Sequence, residues 1–360
     1  MIILRIQKKR ENCMRKKLAG LFLAGVMLLN LTACGEDPDA TKYALIVNTQ
    51  ADQTYTDQAW EGIQRFSVEN GVKCAQYRTE DTESEAAVAA IDQAVEEGAE
   101  VIFCMGEEMS VAVYEAQKEY KKVNFFLMDA EPHKENSEEP SIRENTCVVY
   151  IDEVQQGFLA GYSAVAEGAR SIGFMGGVQD EHSEKMLAGF IQGAETAARE
   201  AGLTAGSITL RQMFTGKDRV SPVYMSDAIA WYKAGCEIIF APDQEVAVSA
   251  AKAAENQNKK IICDGADQMG ISAQVLTCTT KDYAGFVYYA LGICMDDSFE
   301  GKTTLEVGAK ENAIGLVMDN TSFTAFSQDK YTEVYANLAN GTYAPADKAP
   351  ETTILTLVNE

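Results

Sequence analysis

Gly98-Ala99-Glu100-Val101-Ile102-Phe103 returns in the second half of the chain as Gly235-Cys236-Glu237-Ile238-Ile239-Phe240, and this pair of stretches decides the fold. In each, a glycine stops a helix-period segment and an apolar, β-branched run follows, the pattern of a helix feeding a buried strand. The match extends outward. Val111-Ala112-Val113 pairs with Val246-Ala247-Val248 at an offset of 135, Asp129 pairs with Asp264 at that same offset, and Gly62 and Gly71 pair with Gly193 and Gly202 at 131. A period of about 130 residues is far longer than any solenoid unit, so it marks two copies of one α/β lobe.

Working outward from the first copy, the patterning predicts strands over 43–48, 72–77, 101–105 and 124–129, separated by helices over 57–70, 84–97 and 111–120. Strands alternating with helices specify an α/β fold, here two similar doubly wound parallel-sheet lobes. The lobes are expected over 42–150 plus 280–312 and over 151–279 plus 313–360. In such sheets ligands sit beyond the carboxyl ends of the strands, so two facing lobes enclose a cleft.

The chain has 360 residues, 46% of them apolar, and a formal charge of −23. That balance is globular, and the acidity excludes nucleic acid as a partner because no basic stripe is present to displace counterions. Basic residues cluster only at the N-terminus, where Arg15-Lys16-Lys17 precedes an apolar run over 18–31 and then Leu31-Thr32-Ala33-Cys34. A run of fourteen residues is too short for a comfortable bilayer span, and the arrangement reads as a secretory signal over 1–34. A signal of this kind can begin at Met14. Residues 35–41 read as a flexible acidic tether.

Of nine cysteines, seven remain beyond Cys13 and Cys34. They show no Cys-x-x-Cys spacing and no close histidine, so neither a disulfide framework nor a zinc site is expected. Cys104, Cys147 and Cys263 lie in apolar runs, where a thiol behaves as a small hydrophobe. Two histidines, His133 and His182, stand outside any hydrolase or metalloprotease motif, and no phosphate loop is present. The expectation is a binding protein, not an enzyme, with no cofactor.

The loops at the predicted strand ends carry Gln50, Asp52, Tyr55, Thr56, Glu107, Asp243, Asp264, Asp267, Gln268 and, after the strand that ends near Thr280, Lys281. Carboxylates accept paired hydrogen bonds from vicinal hydroxyls and an aromatic face stacks on a ring, so a polyol, sugar or nucleoside suits the set. Each aspartate has helix N-capping as its ordinary alternative. Trp60, at helical spacing with Ile63 and Val68, is expected in the core.

Several motifs together carry a family resemblance. Asp52 to Thr56 followed by Ala59-Trp60-Glu61-Gly62, Gln156-Gly157-Phe158-Leu159-Ala160-Gly161-Tyr162, Gly173-Phe174-Met175-Gly176-Gly177, Gly189-Phe190-Ile191-Gln192-Gly193, Asp264 to Gln268 and Cys278 to Lys281 resemble the basic membrane protein family. That family comprises substrate-binding lipoproteins and includes purine nucleoside receptors of ABC importers. The resemblance implies a type I periplasmic-binding-protein-like fold, a small solute between closing lobes, an ABC permease as partner, and a bilayer anchor through lipidated Cys34. It also implies that Tyr55 stacks on a base, that Asp264 or Asp267 holds ribose hydroxyls, and that Lys281 contacts the ring or a carboxylate. Where the family has Phe and Asn this chain has Tyr55 and Thr56, and Ala241-Pro242-Asp243 replaces a glycine-rich turn. A sugar or signalling-ligand receptor of the same fold is the alternative.

Overall fold

A computed structural model describes residues 40–49, 53–80, 84–137, 139–349 and 351–359. The signal segment, Cys34, Gln50 and Asp52 lie outside the described residues, as does the expected tether up to residue 39. At its far end the tether expectation is corrected, because strand β1 already begins at Thr41.

Two sheets are built, and they repeat one strand order. The first contains β1 (Thr41–Asn48), β2 (Lys73–Thr79), β3 (Val101–Met105), β4 (Asn124–Met128), β5 (Thr146–Ile151) and β11 (Thr303–Val307), arranged β11-β5-β4-β3-β1-β2. The second contains β6 (Ser171–Gly176), β7 (Ile208–Phe214), β8 (Ile238–Ala241), β9 (Lys260–Asp264), β10 (Val275–Lys281), β12 (Ile314–Leu316) and β13 (Leu355–Asn359), arranged β12-β10-β9-β8-β6-β7-β13. The five leading strands of each follow the order second, first, third, fourth, fifth, and all pairings are parallel except β10 with β12. The matching order is the structural counterpart of the sequence repeat.

Helices cover both faces of each sheet, which is why the strands are apolar continuously and do not alternate. Ala44, Leu45, Ile46 and Val47 are all fully buried. Leu45 and Val47 face a core shared with α1 (Gln53–Asn70) and α8 (Tyr283–Met295), whereas Ala44 and Ile46 face α2 (Ser84–Glu96) and α3 (Ser110–Glu119). The second sheet has α4 (Glu153–Ala166) and α5 (Glu181–Glu200) on one side, and α6 (Pro222–Lys233) and α7 (Gln244–Gln257) on the other. A last helix, α9 (Gln328–Ala339), follows β12.

Gly71 and Gly98 end their helices at φ +67° and +104°, the left-handed conformation that glycine adopts at no steric cost. Helix α1 begins at Gln53, four residues before the expected Asp57, so Tyr55 and Thr56 are helical and not in a loop. Val68 is corrected too: at 83% exposure it lies on the solvent face, while Ile63 is fully buried and Trp60 packs half-buried against the core. Expected strand 124–129 stops at Met128, and Asp129 turns out at φ +60°.

Two of the family-like glycine motifs have a packing cause. A Cβ on Gly157 would lie 2.0 Å from the Met186 carbonyl oxygen, one on Gly161 2.0 Å from that of Phe190, one on Gly189 1.9 Å from that of Val154 and one on Gly193 2.0 Å from that of Phe158. Helices α4 and α5 therefore touch backbone to backbone, each glycine meeting a carbonyl of the other helix.

Among the described residues the chain crosses between the sheets at three places, and hydrogen bonds stitch the crossings together. Asp152 caps α4 through Gln155 N at 2.9 Å, and its own N–H donates to Val307 O at 2.9 Å. Asp282 caps α8 through Gly285 N at 2.8 Å and donates its N–H to Ala313 O at 2.8 Å. Gln155 Oε1 accepts from Ala309 N at 3.0 Å, joining the first crossing to the third.

Candidate functional site

At the carboxyl ends of β4, β9 and β10, side chains from both sheets converge. Lys281, the last residue of β10, places its Nζ 5.9 Å from the centre of the Tyr55 ring and 4.0 Å from Glu153 Oε1. Tyr55 rises from the first turn of α1 and leans on Tyr283, ring centres 5.2 Å apart at 57°. The Tyr283 hydroxyl donates to Asp129 Oδ2. On the other side, Asp264 Oδ1 accepts from Thr279 Oγ1 at 2.5 Å and from Gln156 Nε2 at 3.3 Å. Thr279 is the register partner of Asp264 across β9 and β10.

The charges are arranged around one cation. Burial among the protein groups at this junction pushes the carboxyls of both Asp129 and Asp264 above their ordinary range. Lys281 opposes that shift at both residues, whereas Glu153 adds to it. His182, in the first turn of α5, binds Glu153 Oε2 through Nδ1 at 2.8 Å, and that bond raises its pKa. Among the described residues, a single ammonium thus faces three carboxylates at the junction of the sheets, with aromatic rings of Tyr55 and Tyr283 beside it. Such a site can accept hydrogen bonds from hydroxyls and amines and stack a planar ring.

The other sequence candidates do different work. Thr56 is fully buried. Glu107 is exposed and takes a hydrogen bond from His133 Nε2 at 2.9 Å, and these two line a void of about 540 Å³ with Asn136 and Ser137. A second void of about 410 Å³ lies away from the strand ends, between α5 and residues 342–352. Asp243 neither caps its own helix nor stands free. Its Oδ2 accepts from Gly177 N at 2.7 Å, bridging the loops after β6 and β8, while Asp218 Oδ1 takes the N-terminal amides Glu245 N at 3.0 Å and Val246 N at 3.1 Å. Asp267 is exposed and accepts from Gln268 Nε2 at 3.1 Å. Phe240 is core, as its apolar strand demands, and Phe214 packs edge-on against Phe174.

Sequence reasoning missed Asp129, Glu153, Gln156, His182 and Tyr283 as members of this cluster. For Asp129 a signal existed, its equivalence with Asp264 in the repeat. The others join through the crossings, which no local pattern marks.

Residues 41–342 match the family model described as ABC transporter substrate-binding protein PnrA-like. The chain belongs to that family. It is 24% identical over 292 residues to the ABC transporter nucleoside-binding protein BmpA of Lactococcus lactis subsp. cremoris, covering 75% of this chain and 79% of that protein. It is 21% identical over 336 residues to basic membrane protein D of Borreliella burgdorferi, covering 90% and 94%. Among solved structures, an ABC transporter solute-binding protein from Conexibacter woesei superposes with a TM-score of 0.62 at 18% identity, covering 86% of this chain and 99% of that one. The two-lobed α/β architecture is that of the solute-binding proteins. The PnrA-like family is one of solute-binding proteins and not an enzyme class, and a permease partner follows from membership. Among the described residues no helix is long and apolar enough to cross a membrane.

Proposed function

We propose that this protein is a lipid-anchored extracytoplasmic receptor that closes two lobes on a nucleoside and presents it to an ABC permease in the membrane. The observation that carries the reading is the meeting of the Tyr55 ring, the Lys281 ammonium and the Asp264 carboxylate at the strand ends. In this assignment Tyr55 stacks on the base, Asp264 holds ribose hydroxyls with Asp267 at the rim, and Lys281 meets a ring acceptor. Asp129 and Glu153 orient the Lys281 ammonium. Gln50, Asp52, Thr56, Glu107 and Asp243 remain candidates from sequence, of which Glu107 has an accessible carboxylate and Asp243 is already engaged by Gly177. The closing units are 42–150 with 280–312 and 151–279 with 313–360, hinged at the three stitched crossings. Closure is a population shift set by the solute's preference for the closed form. Cys34, after cleavage of the signal, carries the acyl chains, since two or three of them hold a protein on a bilayer where one does not.

Thermal unfolding with a panel of nucleosides, pentoses, hexoses and amines tests the ligand class. A true ligand at 100 times its Kd adds about 2.7 kcal/mol of stability. Inosine or adenosine should raise the midpoint. A response to a pentose with none to nucleosides replaces the nucleoside reading by the sugar reading. Fractionation of cells carrying Cys34→Ala tests the anchor: release from membranes is expected, and retention overturns it.

A further inference from the structure

Gln156 lies on α4 just inside the first crossing, with none of its surface exposed. Around it on the helix, Val154, Gly157, Phe158, Leu159 and Ala160 are buried as well, so the position is one where an apolar side chain would pack. The amide gains little for its own burial. Its Nε2 makes the 3.3 Å bond to Asp264 Oδ1, and its Oε1 has no hydrogen-bond partner among the described residues. A buried acceptor left unmade is destabilising, and replacing such a group by an apolar one of similar shape is neutral or favourable. What the glutamine does accomplish is directional. Together with Thr279 it places both side-chain donors on the same oxygen of Asp264, and Oδ2 has no side-chain partner among the described residues.

We propose that Gln156 is a positioning residue for the cleft, holding Asp264 by Oδ1 so that Oδ2 is presented to the bound solute. This deepens the receptor reading above and rests on it for the solute. Gln156, Thr279 and Asp264 all belong to the second sheet and its covering helix, so the carboxylate is oriented before the lobes close. A carboxylate fixed in advance loses less rotational freedom on binding than one that must be ordered by the ligand. The groups facing Asp264 are Lys281 from β10, Glu153 from α4, the Thr279 hydroxyl and the Gly265 amide. Removing the Gln156 donor takes away one of the contacts that favour the ionised form.

The test is Gln156→Leu, with Gln156→Met as the alternative packing variant, read in three ways. In the ligand-free protein the unfolding midpoint should stay level or rise. The Asp264 side-chain carboxyl, followed by carbon-detected NMR, should titrate at higher pH than in the unsubstituted protein. Inosine affinity should fall about tenfold or more, and Thr279→Val should move the Asp264 titration the same way. A lowered midpoint with an unmoved Asp264 titration makes Gln156 a structural residue and overturns the proposal, as does an unmoved titration in a stable variant. If inosine binds neither protein, the nucleoside assignment fails, and the ligand-free titration still decides the role of Gln156.

Discussion

Gly161→Ala separates two physical effects that oppose one another. Alanine in place of glycine inside a helix favours the helix by about 1 kcal/mol, so propensity alone predicts a more stable protein. Packing predicts the reverse. The new Cβ would stand 2.0 Å from the carbonyl oxygen of Phe190 and 2.8 Å from its carbonyl carbon, where ordinary contact begins near 3.4 Å. Neither obstacle is a side chain that can swing away, so α4 and α5 must part by about 1 Å or more. Parting them loosens the equivalent contacts of Gly157, Gly189 and Gly193 at once, because all four lie along the same interface. Overpacking of this kind costs about 1–3 kcal/mol, and each weakened Cα–H···O contact adds about 0.5–1 kcal/mol. After the propensity gain is subtracted, a net loss of about 2 kcal/mol is expected. Gly292→Ala is the internal control. It sits in α8 with none of the described residues within 4 Å of the added carbon, so there the propensity gain should appear undiminished. Urea unfolding of both variants, with slopes equal to that of the parent, gives the comparison. If Gly161→Ala is as stable as the parent, the backbone-to-backbone account of the α4–α5 contact is wrong.

Glu195 should anchor the C-terminal strand: its carboxylate accepts from Thr353 N at 3.0 Å, Ile354 N at 3.1 Å and Leu355 N at 3.1 Å, so Glu195→Ala should lose about 2 kcal/mol and deprotect the amides of β13 in hydrogen exchange. Burial alone would raise the Glu195 pKa, but the Thr353 hydroxyl and these amides lower it, so its contribution is present above its unfolded pKa and fades as pH falls through the lower folded value. His182 runs the opposite way. Its pKa is raised by the hydrogen bond to Glu153, so the stability from that pair is complete below the unfolded pKa and lost as pH rises through the folded one, and His182→Gln should flatten that limb of a stability-against-pH profile. Thiol titration of the native protein should modify Cys74 first among the seven described cysteines, since burial pushes Cys147, Cys236 and Cys294 up to about 12 and Cys104 higher still. Lys281→Met should raise the titration of both Asp129 and Asp264 in the ligand-free protein, because one ammonium opposes the shift at each.

The sequence by itself determined the duplicated α/β unit, because strands buried on both faces must be apolar throughout and helix ends at Gly71 and Gly98 must be left-handed, and both demands are written locally. It also determined that Asp264 and Lys281 stand at strand ends, since each closes an apolar run. Tertiary structure decided which groups meet them. Tyr283, Glu153 and Gln156 reach the cluster through the crossings between the sheets, and contacts made at separations of a hundred residues or more leave no periodic trace. It likewise decided that Asp243 braces Gly177 and that the glycines of α4 and α5 serve an interface, since a carboxylate or a glycine in a string of letters is compatible with several partners until the fold selects one.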